Sequence, residues 1–407
     1  MQHVRFLRRL VRAVSGVALF VAPAMLRAML RAMLRAMLPA MIPHVLLAQG
    51  TGTLAVTVTA TQTGVSLPYA VVALPDRSIE RFTDAGGRAT IVALPAGSYD
   101  IAVRRIGFAP HHGRVVIEAG LVTSASITLS QIPVQLTGML VRPREACTTP
   151  GMPDRARDPA VFDIVELLRE NADQFRLLTS QYPFRYATQR VLAAVADSIV
   201  FVQTVDTLLA ESKSLGGYRP GRVVREQRAA GGRTETTMSI PVLSDIAAPS
   251  FLANHCFHFG GVVSEGAETW VRLEVRAADK LRSPDVHGTF FLDSATAQLR
   301  RMELELSRPE RLPRRLQGIR TVAVSTTFRE ITPGLSLIDR VCAINRQKPF
   351  QGRVPRHPVE LQQLTAYRFD TAPPDAPPAS AYNSPAWQPR SQLTRDVLWC
   401  DGMGTSG

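Results

Sequence analysis

Between Arg81 and Phe108 the sequence reads RFTDAGGRATIVALPAGSYDIAVRRIGF, and this stretch decides the fold of the region around it. Apolar and polar residues alternate on both sides of two turn sequences, Asp84-Ala-Gly-Gly87 and Pro95-Ala-Gly97. Alternation is the period of a half-buried strand, and glycine accepts the positive φ angles that tight turns need. The stretch therefore predicts short strands joined by hairpin turns.

The same pattern extends from Thr53 to Gln131 and predicts a small seven-stranded β-sandwich. The strands are expected at Thr53–Ala60, Tyr69–Leu74, Ile79–Thr83, Arg88–Leu94, Ser98–Ile106, Arg114–Glu118 and Val122–Leu129. Side chains at alternate positions share a face, so one apolar set can be buried between two sheets. We expect that set to place Ile91, Ala93, Tyr99, Ile101 and Val103 against Val56, Val58, Val71 and Ala73.

Four motifs of this region resemble the carboxypeptidase regulatory-like domain. They are Leu67–Val72 (LPYAVV), Thr83–Arg88 (TDAGGR), Leu94–Tyr99 (LPAGSY) and Val103–Phe108 (VRRIGF). The resemblance implies a transthyretin-like β-sandwich over residues 50–135. It also implies a non-catalytic accessory or binding domain of the kind found at the N-terminus of many exported bacterial proteins. The resemblance implies no catalytic residue, because domains of this family contain none.

The first 48 residues are typical of a signal peptide. Arg5, Arg8, Arg9 and Arg12 precede an uncharged apolar run, and Leu46-Leu-Ala48 is suited to cleavage. A tandem Ala-Met-Leu-Arg repeat between them lengthens the segment. The alternative is a membrane-surface helix with Arg27, Arg31 and Arg35 on one face, which would give peripheral membrane association.

The charge of the chain is mostly a property of this leader. The formal net charge is +13, from 47 basic and 34 acidic residues. Seven of the basic residues lie in the first 48 positions, where there is no acid. No basic cluster with interleaved aromatic residues follows, so we expect no nucleic-acid partner.

The region after the sandwich predicts a linker, a helix and a curved antiparallel sheet. Residues 136–158 read as the linker, and apolar residues three and four apart predict one amphipathic helix over Pro159–Thr179. The helix plus antiparallel β domain is expected over residues 159–370, followed by a Pro-rich extended or disordered tail over 371–407. Its strands are expected at Phe184–Ala194, Ser198–Thr204, Arg222–Gln227, Thr234–Ile240, Trp270–Arg276, Val286–Asp293, Leu299–Leu306, Val322–Ile331 and Leu337–Ala343.

Within that domain the clearest hairpin runs from Gly288 to Leu306, with a turn at Asp293-Ser294. We expect Leu299, Met302, Leu304 and Leu306 to face the core, with an irregularity before Met302. This hairpin and Phe251–Phe257 (FLANHCF) resemble bacterial envelope proteins in which a regulatory-like domain precedes a β-rich domain of unknown function. The fold class is therefore expected to be mostly β.

Cys147, Cys256, Cys342 and Cys400 are the four cysteines of the chain. An even number of cysteines in an exported protein predicts disulfides, and four cysteines allow three pairings. We favour Cys147 with Cys256 and Cys342 with Cys400. The wide spacing excludes a CxxC redox or zinc-ribbon motif.

Two histidine-containing patterns are candidates for sites of chemistry. His357-Pro-Val-Glu360 has the first half of a zinc carboxypeptidase site, but no histidine follows it, so a surface turn is expected. Cys256 and His258 would share one face of a strand and could ligate a metal with His111, His112 or His287. The simpler interpretation is a disulfide cysteine beside ordinary histidines. Asp293 is interpreted as a turn residue.

These observations predict an exported protein of the periplasm or outer membrane that binds or scaffolds without catalysis. No catalytic, cofactor-binding or metal-binding residue is assigned, and the expected partner is an envelope protein or a glycan. The alternative is an envelope hydrolase whose site gathers His255, His258 and Asp293 in the C-terminal β domain. A polar pocket holding all three would favour it, and their dispersal would count against it.

Overall fold

Strand β1, Thr51–Ala60, sets the pattern of the first module because every second residue from Gly52 to Ala60 is buried. In the computed structural model the described residues are 50–132, 146–212, 218–228, 234–246, 248–332, 334–349, 351, 355–381 and 390–402. The expected signal peptide and residues 136–145 of the expected linker lie outside them. Gly50–Gly407 forms one compact unit.

The first module is the expected seven-stranded β-sandwich. One sheet has the order β4-β1-β7 and the other β3-β2-β5-β6, and β1 pairs with β7 in parallel. Their apolar inner faces form a single core that includes Leu54, Val56, Val58, Ile91 and Ile101. The strands after β1 are β2 (Val71–Leu74), β3 (Ile79–Phe82), β4 (Arg88–Pro95), β5 (Gly97–Arg104), β6 (His111–Ile117) and β7 (Val122–Leu129).

Two details of that core differ from expectation. Val72 and Leu74 face the inside of the sandwich, whereas Val71 packs in a different cluster outside it. The prediction for Val71 was wrong because β2 is buried on both faces, so the sequence alternation does not distinguish them. Ala93 is exposed at φ 57°, and Leu94 is buried instead, because the pairing of β1 with β4 shifts register between Gly52 and Leu54.

The second module is a helix packed on a large antiparallel sheet, as expected. Helix α1 is Pro159–Gln181, and the main sheet has the order β12-β13-β14-β15-β16-β17-β18-β8-β9, with β19 paired to β18. A separate hairpin pairs β10 with β11. The helices after α1 are α2 (Leu243–Ile246), α3 (Pro249–Leu252) and α4 (Arg390–Gly402). The strands are β8 (Phe184–Ala196), β9 (Ile199–Glu211), β10 (Val224–Arg228), β11 (Thr234–Met238), β12 (His255–Glu265), β13 (Glu268–Ala277), β14 (Val286–Asp293), β15 (Leu299–Leu306), β16 (Ile319–Thr332), β17 (Leu335–Gln347), β18 (His357–Phe369) and β19 (Ala379–Ala381).

The β14–β15 hairpin has its predicted core positions. Leu299, Met302, Leu304 and Leu306 are all buried. The pairing shifts register between Phe291 and Leu292, so the expected irregularity is present, with Met302 opposite Phe290. Three strands were not predicted. They are β12 and β18, whose sequences do not alternate plainly, and the three-residue β19 in the expected Pro-rich tail.

The C-terminal tail is not wholly extended, and that expectation was wrong. Helix α4 follows the Pro-rich segment and buries Leu393, Val397 and Cys400, which lie four and three residues apart on one helix face. These residues pack on Val191 and Leu361 of the sheet. Tertiary burial of a helix face therefore orders a segment whose composition alone suggested disorder.

Two disulfides tie the second module together. Cys147 is bonded to Cys256, and Cys342 to Cys400, which are the pairs favoured from the sequence. The second bond joins α4 to β17, 58 residues earlier in the chain. In the chain-entropy view, closing a loop of that length destabilises the unfolded chain by about 4 kcal/mol. Among the described residues no helix is long and apolar enough to cross a membrane.

Helix α1 is buried on two sides because it lies between the two modules. Val165, Leu168 and Phe175 join the core on the main sheet. Leu177 and Leu178 instead pack with Tyr69, Val71 and Phe82 of the sandwich. The sandwich and the sheet are thus parts of one packed structure rather than two separate bodies.

Buried amides fix the height of α1 on the main sheet. Asn171 donates a hydrogen bond of 3.0 Å to the Ala297 carbonyl and accepts one of 2.9 Å from the Leu299 N–H. The Gln174 amide donates to the Gly334 carbonyl at 3.0 Å. Buried polar groups are costly unless they are satisfied, so these contacts select one register of the helix.

Charged residues border this junction. Arg104 of β5 reaches Glu80 at 2.8 Å and Asp173 of α1 at 3.7 Å. The next residue, Arg105, donates to the Pro68 carbonyl at 2.9 Å. Burial lowers the pKa of Arg105, and the charge of Glu170 partly offsets that effect.

Glu170 of α1 has a buried carboxyl group at this junction. Its Oε2 atom is buried without a hydrogen-bond partner. Burial raises the pKa of Glu170 from 4.5 to about 7, although Arg104 and Arg105 act in the opposite direction. A raised carboxyl pKa means that the charged form opposes folding. The loss of folding stability caused by ionising Glu170 is absent below the unfolded pKa near 4.5 and is complete above about pH 7.

We therefore predict that Glu170→Gln stabilises the protein at pH 8 by about 2 kcal/mol, because the buried charge is removed. At pH 4.5 the substitution should have little effect. Thermal unfolding at both pH values measures the difference. Glu118→Gln, at an exposed position, is the control. Equal stability of the wild type and Glu170→Gln at pH 8 would contradict the prediction.

Candidate functional site

The histidine that the sequence placed in a candidate hydrolase site is wholly buried. His255 begins β12, and its ring stacks on Phe251 with 4.0 Å between centroids. Its Nδ1 lies 2.8 Å from the Phe251 carbonyl and must donate to it, because a carbonyl only accepts. Its Nε2 lies 3.6 Å from Asp285, which is also wholly buried.

Asp285 is the centre of a buried polar cluster. It accepts hydrogen bonds from the Tyr218 hydroxyl at 2.8 Å, from the Gly221 N–H at 2.5 Å and from its neighbour Val286 at 2.7 Å. Burial opposes ionisation of Asp285, but His255 and these donors outweigh it, so its pKa lies below the ordinary value. Burial and the Asp285 charge raise the pKa of Tyr218.

The described contacts of this cluster are all within the protein. His255 and Asp285 have no exposed surface, and neither lines a described cavity. Asp285 ties the Tyr218–Gly221 segment to the start of β14. Sequence reasoning missed it because the donors are 64 and 67 residues away in the chain.

The other candidate residues lie far apart in the fold. His258 is in β12 opposite Glu274 of β13. Asp293 is at the β14–β15 turn, where it accepts from the Ala295 N–H and from Arg300, as expected for a turn residue. Cys256 is held in its disulfide. The dispersal of His255, His258 and Asp293 counts against a hydrolase site built from them.

His357-Pro-Val-Glu360 is the first part of β18, not a surface turn. The Nε2 atom of His357 lies 2.7 Å from Asp401 of α4, which also contacts Arg346. His111 and His112 lie in β6 of the sandwich, and His287 lies in β14 beside Glu305. Within the described ranges no group of three or more His, Cys, Asp or Glu side chains is arranged to hold a metal ion.

An apolar cavity of about 200 Å³ lies between α1 and the sheet face that it covers. Phe175 of α1 and the segment Ile240–Leu243 form one wall. The facing wall is formed by alternate residues of the sheet strands, including Tyr186, Met302, Thr326, Val341 and Leu364. The cavity is the volume that the side chains between α1 and this face of the sheet leave unfilled.

Few polar groups enter this cavity. Thr188 and Thr326 are buried hydroxyl residues of its wall, and Gln362 hydrogen-bonds to Glu360. Asp339 also lines it and is paired with Arg329. Burial raises the pKa of Tyr186, so its hydroxyl stays protonated. A mostly apolar wall with a small number of polar groups is the usual form of a small-molecule site.

A second cavity, of about 310 Å³, lies on the opposite face of the sheet beside the Cys342–Cys400 disulfide. Glu274, Thr289 and Glu303 form one transverse row of its wall, since each is paired with the next across neighbouring strands. Burial raises the pKa of Glu303, which Arg301 opposes at 3.0 Å. Because Glu274 and Glu303 each have an arginine partner, the row is not a free pair of carboxylates.

The sandwich can now be compared with known proteins. Residues 53–130 match the family model of the carboxypeptidase regulatory-like domain. The matched segment spans β1 to β7, so the resemblance drawn from its turn motifs is confirmed for this domain. The regulatory-like domain contributes Tyr69, Val71 and Phe82 to the junction with α1, and none of its residues lines the 200 Å³ cavity.

Solved structures give only distant likenesses. A LolA superfamily protein from Nitrosomonas europaea is 12% identical, with 51% of this chain and 94% of that chain covered and a TM-score of 0.28. A DUF1329 family protein from Desulfovibrio piger is 10% identical over 56% of this chain and 98% of that chain, with a TM-score of 0.28. The minor pilin of Streptococcus agalactiae is 18% identical, with 24% of this chain and 49% of the pilin covered and a TM-score of 0.19. This chain therefore spans about half the length of that pilin. No curated protein matches the chain.

We predict that Asp285→Asn lowers the free energy of unfolding by about 3 kcal/mol, because the amide NH2 must face one of three donors and His255 loses its charge partner. The carboxylate contribution is present above the ordinary carboxyl pKa near 4 and is lost as the pH falls further, so the deficit should shrink below about pH 4. Urea unfolding at pH 7 and pH 3.5 measures both effects.

Asp279→Asn is the matched control, because Asp279 has an exposed carboxylate that contacts Arg308. It should change stability by less than about 1 kcal/mol. Equal losses of unfolding free energy in the two variants would show that the buried contacts of Asp285 do not stabilise the fold more than an exposed ion pair does.

Proposed function

We propose that this is an exported, non-enzymatic envelope protein that binds an apolar chain in the cavity between α1 and the main sheet. The ligand class is a single alkyl or acyl chain, because the wall offers side chains such as Phe175, Met302 and Leu364 and few polar groups. The cavity is the observation that carries this proposal. Export is supported by the basic and apolar leader sequence and by two disulfides in the described residues.

The size of the cavity limits the affinity it can supply. A methylene takes a volume similar to that of water, about 30 Å³, so 200 Å³ accommodates roughly seven methylenes. At about 0.8 kcal/mol per buried methylene the gross gain is about 5 kcal/mol. Such a gain alone gives a dissociation constant on the order of 0.1 mM. Tighter binding requires contacts to the head of the ligand or displacement of α1 from the sheet.

The regulatory-like domain has a supporting role in this proposal. Its β2–β3 face holds the C-terminal end of α1 through Tyr69, Val71 and Phe82. The domain thereby fixes the helix that closes the cavity. Its other sheet, β4-β1-β7, lies away from the junction cluster and is the surface available for an envelope protein or a glycan.

The test uses two neighbouring threonines on opposite faces of β16. Thr326 lines the cavity, whereas Thr327 is paired with Arg301 on the other face. Thr326→Phe fills the cavity and should weaken binding of octanoate, whose alkyl chain matches the capacity of the cavity, at least about tenfold. Thr327→Phe should bind octanoate as the wild type does. Calorimetric titration of the delipidated protein gives the dissociation constants.

The same titration can refute the proposal. Absence of saturable binding by the wild type, or equal loss in the two variants, would remove the cavity as a ligand site. Thermal unfolding of both variants checks that Thr326→Phe remains folded, and chloroform extracts of the purified protein show by mass spectrometry whether an acyl chain is carried from the cell.

A further inference from the structure

Strand β9 is a long edge of the main sheet. It runs from Ile199 to Glu211 and pairs with β8 from Arg185 opposite Glu211 to Ala196 opposite Ile199, with one register shift that leaves Gln203 without an opposite residue. No other strand of the described residues pairs with it. Its second edge therefore presents unpaired N–H and C=O groups, which can template the addition of another strand.

The side chains of β9 are exposed on both faces of the sheet. Val205 and Val202 lie on the same face as Val191 and Ala193, and Phe201 lies on the opposite face. The exposed fractions are large for apolar residues: Ile199 58%, Phe201 37%, Val202 41%, Val205 41% and Leu209 83%. Natural edge strands are normally protected by lysine, proline or short length. The sequence of β9, IVFVQTVDTLLAE, has thirteen residues and neither lysine nor proline.

The charge pattern of β9 indicates which kind of strand can pair with its open edge. Its charged residues are Asp206 and Glu211, and the Asp206 carboxylate is held by Arg190 of β8 in two contacts, of 2.9 and 2.5 Å. The part from Ile199 to Val205 is uncharged. In a two-fold antiparallel pair a strand lies beside its own sequence, so unneutralised charges near its middle would face their like. In β9 such repulsion is avoided, because Asp206 is paired with Arg190 and the rest of the middle is uncharged. For the same reason the strand has no unneutralised charge near its middle that would attract a basic or acidic peptide.

We propose that two copies of this chain associate by antiparallel pairing of β9 with β9 across a two-fold axis. The main sheets then form one continuous sheet through the dimer. Val202, Val205 and Leu209 become buried, and they extend the apolar cluster that already joins Val200 to α4 and β8. The proposal does not depend on the apolar-chain site, because no residue of β9 lines that cavity.

The test measures association of the full chain purified after export. Sedimentation equilibrium of the wild type should give a concentration-dependent monomer–dimer equilibrium. Leu209→Lys and Val205→Lys should each raise the dimer dissociation constant at least about tenfold, because two lysines per dimer are brought beside an apolar strand. Leu209 is so exposed that its replacement removes almost no native contact, so this variant should remain folded.

Val92→Lys is the matched control. Val92 is 67% exposed on β4, which is an edge strand of the sandwich, and its replacement should leave the equilibrium unchanged. Hydrogen exchange gives an independent readout, since the amides of residues 199–211 should exchange more slowly at high than at low protein concentration. A wild type that stays monomeric would overturn the proposal, as would a dimer insensitive to both lysine variants or one whose concentration-dependent protection lies outside β9.

Discussion

The two-sided burial of α1 is the constraint on which the rest of the structure depends. One side of the helix places Val165, Leu168 and Phe175 on the main sheet, and the other places Leu177 and Leu178 on the sandwich. Neither module could expose these surfaces without losing the hydrophobic stabilisation of several large side chains, at about 1.5–3 kcal/mol each. The sandwich is therefore held as a structural part of the second module. That arrangement explains why its β2 strand is apolar on both faces.

The polar groups near α1 convert this apolar contact into a specific one. Asn171 and Gln174 bind backbone carbonyls of two different segments, Ala297 and Gly334, and can do so at one height of the helix only. The apolar cavity lies beside this contact, between Phe175 of α1 and the sheet residues that face it, and no single residue creates it.

The interior of the second module also shows why sequence patterns of chemistry were misleading. His255, Cys256 and His258 are close in sequence, yet their surroundings differ. The His255 ring lies 3.6 Å from a buried aspartate, Cys256 forms a disulfide, and His258 lies opposite Glu274 of β13. Alternation along a strand separates neighbours, and pairing across strands brings distant residues together. Asp285 has Tyr218 and Gly221 as partners because the segment before β10 packs against the start of β14.

Sequence alone determined the sandwich, because its turns at Asp84–Gly87 and Pro95–Gly97 and its local alternation fix strand bounds without help from distant residues. It also determined α1 and the β14–β15 hairpin, whose contacts are mostly local or periodic. The tertiary structure decided which face of β2 is the core, the order of α4 in a Pro-rich tail, and the existence of both cavities. These depend on long-range burial: the free energy that selects them comes from surfaces that meet only after α1 has docked on the sheet and the sandwich.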